Sequence, residues 1–396
     1  MLAFVFAPFY VAVNIYLIWW VFRLLDAAFP HRCTKQIKII GAILFLFLCL
    51  SPLLAYLTPM SPFKKAIARI SNYWMGIFLY AVLVIVIFDF IQFILKRIPW
   101  FRSRLSQSKK VFVRTGCFAL VLIAAISIYG IENAKNIRVT RYEVDIEAEQ
   151  LEKESLKIVL IADLHMGYSI GWKHIEKMVE RINEQQPDLV CIAGDIFDNH
   201  YEAMDEPEKI KQILQKIEST YGVYACYGNH DYEEDILAGF TFSSEEGVEI
   251  SRQMRDFLQD ANIRTLEDEV ILIDNKFYLA GRQDYSSGGK SGVSRKKAEA
   301  LLEGLDKTKP IIVMDHQPKE MDELAKAGAD LDLCGHTHDG QLFPGNIITD
   351  RMWENSYGYL KKGNLQQIVT SGVGIFGPYM RVGTKSEIVV VDVAFQ

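Results

Sequence analysis

The chain has 396 residues and a mass of 45.2 kDa, and half of it is apolar, which is too long for one ordinary domain and enough for two substantial ones. Its 43 basic and 49 acidic residues leave a net charge of −6, which argues against a nucleic-acid binder. The charge is unevenly spread: residues 1–131 hold fourteen Lys/Arg against Asp26 and Asp89, a balance of +12, so the other 265 residues carry −18.

Four apolar runs come first, at about 2–22, 39–57, 72–95 and 111–130, against the ~20 residues that a hydrocarbon core requires. A cleavable signal is short and solitary, and four successive runs are not. A helix buried in a soluble bundle would keep a polar stripe, whereas GAILFLFLCL (41–50) has none. Trp19, Trp20, Tyr73, Trp74 and Trp100 fall near run ends, where interfacial aromatics are expected. Residues 1–131 are therefore read as a membrane domain of four helices, 132–154 as a linker and 155–396 as a second domain.

The loops suggest an orientation. Arg23, Arg32, Lys35 and Lys38 crowd the first connection, and Lys96, Arg97, Arg102, Arg104, Lys109 and Lys110 the third; the second holds only Lys64, Lys65 and Arg69. The basic loops face the cytoplasm, so the expectation is a multi-pass protein of the cell membrane with its large acidic domain outside the cytoplasm. Lys135, Arg138 and Arg141, just past the fourth run, weaken the asymmetry. Asp89 inside the third run is either a functional acid or a partner for nearby basic loop residues. With four spans and no accompanying chain of acids or histidines, a transporter gains little support.

From residue 157 the pattern changes to short apolar runs ending in polar clusters: 157–163, 188–195, 222–231, 276–282, 310–316 and 330–336. Helix-like segments lie between them at 174–186, 207–219 and 248–260; in the first, Ile175, Met178, Val179 and Ile182 share one face. Alternating strands and helices imply an α/β domain with adjacent parallel strands. The stretches 366–371 and 387–392 lack intervening helices and suggest a second, mixed or antiparallel sheet. The six cysteines show no pairable spacing and no CxxC; Cys191, Cys226 and Cys334 read as small buried hydrophobes.

Chemistry-bearing residues gather just beyond the strand ends, where open α/β sheets bind ligands. They occur as Asp163-Leu-His165, Gly194-Asp195-Ile-Phe-Asp198-Asn199, Gly228-Asn229-His230-Asp231, Asp315-His316 and Gly335-His336-Thr-His338, and five of the eight histidines fall in them. In Asp163/His165 and His336/His338, two-residue spacing puts both side chains on one side of an extended segment, so each pair suits one metal. Each motif alone is weak; five in this order, each after an apolar run, form a constellation. Tyr232–Ser244, with Ile236, Leu237, Phe240 and Phe242, reads either as a lid or lipid-facing segment or as ordinary core packing.

These segments resemble the calcineurin-like metallophosphoesterases over about residues 155–393. The ending Gly-His-Thr-His-Asp-Gly-Gln (335–341) and the later Gly-x-Gly-x-x-Gly-Pro-x-x-Arg (372–381) are similar to a branch of bacterial membrane-associated phosphodiesterases that includes UDP-2,3-diacylglucosamine pyrophosphatases. The resemblance implies a sandwich of two mixed sheets flanked by helices, beside the four-helix transmembrane domain. It implies two divalent ions, one held by Asp163, His165 and His338, the other by Asn229, His316 and His336, with Asp195 bridging. With two carboxylates among these donors, the loaded cluster keeps about +2, complementary to phosphate. It also implies His230 as the group that protonates the leaving oxygen, oriented by Asp198. Asp198 alternatively caps a helix or forms a turn, and Asp231 orients His230 or caps a helix.

Where serine/threonine protein phosphatases carry Arg after the orienting Asp, this chain carries Asn199, which favours a phosphodiester or pyrophosphate over a phosphoprotein. Phosphate anchoring then falls to Asn199, Arg282 or Arg381, with surface salt bridges as the alternative for the two arginines. Mixed nitrogen and oxygen donors without thiolate suit Mn, Zn or Fe. The expected enzyme hydrolyses a phosphate-containing substrate, possibly lipid-linked, and touches membrane lipid but no nucleic acid. The competing readings are a receptor or scaffold that binds without turnover, and a phosphomonoesterase or protein phosphatase.

Overall fold

The computed structural model describes residues 2–30, 33–101, 109–148, 151, 154–233, 235–237, 240–242, 249–286 and 294–396. Arg32, Arg102 and Arg104 of the basic loops, parts of the 232–244 segment and the start of the expected 248–260 helix lie outside them. The chain divides into two compact units, one of residues 1–131 with 236–241 and 377–380, the other of the remainder.

The first unit is built on four long helices, α1 (Leu2–Ala28), α2 (Lys35–Leu57), α3 (Pro62–Leu95) and α4 (Lys109–Ala134). All four are long and apolar enough to cross a membrane. Thr34 and Ser61 cap α2 and α3 by accepting from the amides of Ile37 and Lys64, which sets both helix starts. α3 therefore begins ten residues earlier than the apolar run suggested, because the Ser-Pro start and not hydropathy fixes its end. Leu17, Trp20, Val84, Ile85 and Ala119 pack inward, while Ile15, Ile43, Leu44, Phe90, Val121 and Ile128 are each over 60% exposed. That outer surface is compatible with lipid and not with water. Pro52 inside α2 cannot bond the carbonyl of Leu48, and the Ser51 hydroxyl donates to that carbonyl instead, at 2.7 Å. Trp20 and Trp74 are buried among the helices, so only Trp19, Tyr73 and Trp100 present exposed rings. Asp89 accepts from the Tyr16 hydroxyl of α1, a neighbouring helix; among the described residues no basic loop side chain pairs with it.

In the second unit the chain runs through β1 (Ile137–Ile146), β2 (Ser155–Ile161), α5 (Trp172–Asn183), β3 (Leu189–Ala193), α6 (Pro207–Leu214) and β4 (Val223–Cys226). A short pair, β5 (Asp235–Leu237) and β6 (Phe240–Phe242), follows, and its residues 236–241 group with the membrane unit. Then come α7 (Arg252–Asp260), β7 (Ile263–Thr265), β8 (Glu269–Ile273), β9 (Phe277–Gly281), α8 (Ala298–Leu301), β10 (Ile311–Met314) and α9 (Met321–Ala327). The last elements are β11 (Leu331–Cys334), α10 (Gly345–Met352), β12 (Gly358–Lys362), β13 (Leu365–Val369) and β14 (Ser386–Phe395).

Two six-stranded mixed sheets result, β1-β14-β2-β3-β4-β7 and β12-β13-β11-β10-β9-β8. β2, β3, β4 and β7 run parallel, as do β9, β10, β11 and β13, while β14 is antiparallel to β2. Alternate residues of facing strands, such as Leu156, Ile158 and Leu160 with Ile312, Met314, Leu331 and Leu333, share one core with Cys191 and Cys226. The late strands do not form a sheet of their own: β13 joins the second sheet beside β11, and β14 enters the first between β1 and β2. Nor is 132–154 only a linker. Its β1 pairs in parallel with β14 over ten residues, from Ile137 opposite Ser386 to Ile146 opposite Phe395.

Candidate metal centre and active site

The site is assembled where β2, β3, β4, β10 and β11 end. Asp163 and His165 follow β2, Asp195 follows β3, Asn229 and His230 follow β4, His316 follows β10, and His336 and His338 follow β11. Asp163, His165, Asp195, His336 and His338 all adopt positive φ, between 46° and 74°. Each such backbone costs roughly 1–3 kcal/mol, so the fold holds the donors where the chain alone would not. Gly228 has no room for a side chain, since a Cβ there would meet the carboxylate of Asp195; Gly374 likewise lies against the backbone of Leu164.

The donors converge in two adjacent groups, Asp163/His165/His338 and Asp195/His316/His336, so His336 and His338 do not share one ion as their spacing suggested; their positive φ turns them to different groups. His165 Nε2 lies 3.1 Å from His338 Nε2, and His338 Nε2 lies 3.5 Å from Asp163 Oδ1. His336 Nδ1 lies 3.1 Å from His316 Nε2, which is 3.2 Å from Asp195 Oδ2. Asp195 Oδ2 is also 3.7 Å from His165 Nε2, so this one carboxylate oxygen faces both groups. The amide of His336 donates to both oxygens of Asp163, and the amide of His230 donates to Asp195 Oδ1.

The donor set fits a cation. His316 Nδ1 lies 2.9 Å from the carbonyl of Ala193 and can only donate to it, which turns the Nε2 lone pair towards Asp195 and His336. Burial pushes His165 and His336 down to about 3 and His338 well below the imidazole range, so their lone pairs stay open. Burial pushes Asp163 up to about 7, while for Asp195 burial is outweighed by His316 and His230, which hold it well below the carboxylate range. For His316 burial opposes the charge, but Asp195 holds the imidazole well above its ordinary range, so its Nε2 proton has to leave before that nitrogen can take a cation. Asn229 Oδ1 is buried with no hydrogen-bond partner among the described residues, a vacancy that a ligating amide oxygen explains.

His230 Nδ1 lies 2.8 Å from Asn199 Oδ1, and the Asn199 Nδ2 donates to the carbonyl of Tyr232 at 3.3 Å. Asn199, not Asp198, therefore meets this imidazole, and one N–H of its amide is left over after the bond to Tyr232. The Asp198 carboxylate accepts from the amide of Tyr168, and burial pushes it up to about 7. Asp231 neither orients His230 nor caps a helix. Its Oδ1 accepts from the amides of Ile196 and Phe197 and its Oδ2 from that of Gly228, stapling the Asp195 loop to the Asn229 loop.

Both expected arginines are buried in contacts with the protein itself. Arg282 is fully buried and pairs with Asp315 at 3.0 Å and Glu320 at 2.8 Å. Arg381, also fully buried, donates to the carbonyls of His338, Ser371 and Gly374 and lies 3.3 Å from His338 Nδ1. Arg381 thus supports the loop that carries His338 from behind.

Phe376, Lys319, Tyr285 and Trp353 carried no sequence signal. Phe376 lies 4.2 Å, ring to ring, from His230 and 5.4 Å from His165. Gln341 fixes it by bonding both its amide and its carbonyl. The Lys319 ammonium sits 4.1 Å from the Tyr285 ring and 5.1 Å from that of Trp353, which itself lies 5.2 Å from His336. Among the described residues, Lys319 has no carboxylate partner.

Residues 156–340 match the family model described as calcineurin-like phosphoesterase. The chain is similar to a transmembrane protein with metallophosphoesterase domain from Danio rerio, 28% identical over 373 residues that cover 91% of this chain and 80% of that one. It is also similar to an uncharacterized metallophosphoesterase of Campylobacter jejuni, 29% identical over 69% of this chain and 68% of the other. With an uncharacterized metallophosphoesterase of Aquifex aeolicus it shares 31% identity over 65% of this chain and 92% of the relative.

Proposed function

The chain belongs to the calcineurin-like metallophosphoesterases and is a membrane protein with metal-dependent phosphoesterase activity; from that premise we propose that it uses two divalent ions to hydrolyse a phosphodiester or pyrophosphate bond in a lipid-linked substrate. The observation that carries the two-ion reading is Asp195, whose Oδ2 faces His316 at 3.2 Å and His165 at 3.7 Å, one from each donor group. Asp163, His165 and His338 would hold one ion, Asn229, His316 and His336 the other, and Asp195 both. Bound there, divalent ions supply Lewis-acid polarisation of a phosphoryl oxygen and a nucleophilic water near neutral pH. Mn, Zn and Fe all suit these nitrogen and oxygen donors.

The side chains do the rest. His230, with Nδ1–H given to Asn199, keeps Nε2 to carry a proton to the departing oxygen. Phe376 covers one face of that ring and keeps bulk water from it. Lys319 takes the phosphate charge at the rim. A dianionic monoester is best gripped by a bidentate guanidinium, and both nearby arginines are buried in other contacts. A point-charge ammonium suits the single charge of a diester, which favours the diester or pyrophosphate reading.

The membrane anchor supports a substrate that is itself in the membrane, and the basic first and third loops support a catalytic domain outside the cytoplasm. The test is hydrolysis of bis(4-nitrophenyl) phosphate by the full chain in detergent, with defined metals. Stripping metal should abolish turnover and re-adding Mn or Zn restore it, at close to two ions per chain. His230→Ala should abolish turnover with metal content unchanged. One ion per chain at full activity refutes the dinuclear reading.

A further inference from the structure

Exposed apolar side chains of the second unit gather at one place. Among its described residues seven large ones stand exposed, and four of them, Phe343, Ile347, Ile348 and Met352, fall within ten residues. Three of the four lie on α10, a helix that buries no residue. At about 100° per residue, Ile347, Ile348, Arg351 and Met352 share one side of this helix and Asn346, Thr349 and Asp350 the other. The usual arrangement is reversed. It is the polar side that turns to the protein: the Asn346 side-chain oxygen is buried, the Thr349 hydroxyl donates to the carbonyl of Asn346, and Asp350 accepts from the Ser356 hydroxyl. The apolar side faces out, with Ile348 58% and Met352 70% exposed. A helix that spends its polar side inward and presents its apolar side outward suits a medium less polar than water.

The neighbours of this face identify the medium. The last residues of α4, from Glu132 on, belong to the same unit. Asn133 there donates from Nδ2 to the carbonyls of Arg381 and Thr384, at 3.0 and 2.8 Å. On the same loop the carbonyl of Val382 accepts from the amide of Phe343 at 2.8 Å, and a Cβ added at Gly383 would lie 3.1 Å from that of Phe343. The apolar face therefore starts one short loop away from the end of α4, a helix long and apolar enough to cross a membrane. Arg351, among the described residues, bonds only the carbonyl of Ile347, which leaves its charge for an anionic headgroup. At the far end Trp353 follows Met352, and its ring lies 5.2 Å from that of His336. The face thus runs from the end of α4 to the rim of the metal centre.

We propose that Phe343 and the outer side of α10 rest in the interfacial layer of a lipid bilayer, which holds the rim of the site at the level of the headgroups. Two turns of helix bury little apolar area and bind lipid weakly by themselves. The anchor supplies what is missing, because a tethered face meets the bilayer as an intramolecular event at high effective concentration. The inference does not depend on which phosphate bond is cleaved.

The experiment replaces Ile348 of the full chain by the photoreactive p-benzoylphenylalanine and reconstitutes the protein in vesicles of phosphatidylcholine and phosphatidylglycerol. A second preparation carries the probe at Leu272, an exposed apolar residue of β8. Position 348 should form lipid adducts, read by mass, in roughly tenfold higher yield than position 272. Ile347→Glu with Met352→Glu should bring the yield at 348 down to that at 272 and leave the thermal midpoint unchanged, since neither side chain is buried. Equal yields at the two positions would mean chance collision with lipid and overturn the inference. A cross-link from 348 to a second copy of the chain would assign the face to a protein interface and also overturn it, as would an adduct yield indifferent to the two glutamates. None of these readouts uses turnover, so an inert enzyme refutes the hydrolase reading and leaves this inference standing.

Discussion

His230 Nδ1 meets the side-chain oxygen of Asn199 at 2.8 Å, so a neutral amide and not a carboxylate holds the imidazole that faces the metal centre. An amide fixes the ring's tautomer and direction but raises its basicity less than a carboxylate would. Asn199→Ala should lower kcat about 10–100-fold, within the span ascribed to a positioned acid. Asn199→Asp should raise the pKa of His230. Since the acid must be protonated to act, the alkaline limb of the kcat/KM profile then moves to higher pH. Asp198→Asn should leave that limb in place. Profiles in which Asp198→Asn moves it and Asn199→Asp does not would reverse the assignment of the orienting residue.

The confusion between Asp198 and Asn199 shows where sequence stops informing. Both are short side chains bearing oxygen, adjacent in the chain, and in the fold it is Asn199, at a φ of 62°, that meets His230. The convergence of Asp163, His165, Asp195, His316, His336 and His338 is legible because each follows an apolar strand, and strand ends are where an α/β sheet exposes polar groups. The burial of Arg282 and Arg381 is not legible for the opposite reason: a guanidinium in the sequence does not say whether Asp315 or a ring of carbonyls will enclose it. β1 reads as linker in the sequence because its partner β14 lies some 250 residues away, and its Arg138, Arg141 and Glu143 obscure the apolar alternation. Lys319 and Phe376 sit on no periodic pattern at all.

Lys319 is held over two aromatic rings, with Trp353 between it and His336. If it takes the phosphate charge, Lys319→Ala should raise KM roughly tenfold, about 1.4 kcal/mol of binding, and change kcat far less. Lys319→Arg keeps the charge and should recover most of the loss. A KM that is indifferent to both substitutions would leave Lys319 as a surface residue. Because the contact is near solvent, the KM of the unmodified enzyme should also rise with ionic strength.

His174, on α5, donates from Nε2 to the carbonyl of Val373 at 2.8 Å, and burial pushes its pKa from 6.5 down to about 4. Above pH 6.5 both folded and unfolded chains carry the ring neutral, so stability does not depend on it. Below 6.5 the unfolded chain takes up a proton that the folded chain refuses, and stability falls by about 1.4 kcal/mol per pH unit until the folded ring titrates near 4. The thermal midpoint of the full chain in detergent should drop between pH 7 and pH 5. His174→Gln can keep the bond to Val373 and should flatten that drop by one proton's worth. Parallel curves for the two proteins would mean that His174 is not buried as a neutral ring.

Asp231 ties two ligand loops together with three hydrogen bonds, from the amides of Ile196, Phe197 and Gly228, and burial pushes its pKa up to about 7. Asn at this position has one oxygen and one NH2. Whichever way the amide turns, its NH2 faces a backbone N–H, and at least one buried donor loses its acceptor, at a cost of about 1–3 kcal/mol. That strain falls on the loop that carries Asp195 and on the one that carries Asn229. Asp231→Asn should therefore lower metal retention after desalting more than it lowers the thermal midpoint of the metal-free protein. Asp231→Glu, with the same charge and a longer stem, should fail equally, because the three amides fit a carboxylate at the shorter reach only. Full metal occupancy in both variants would show that the ions, once bound, hold the loops without this staple.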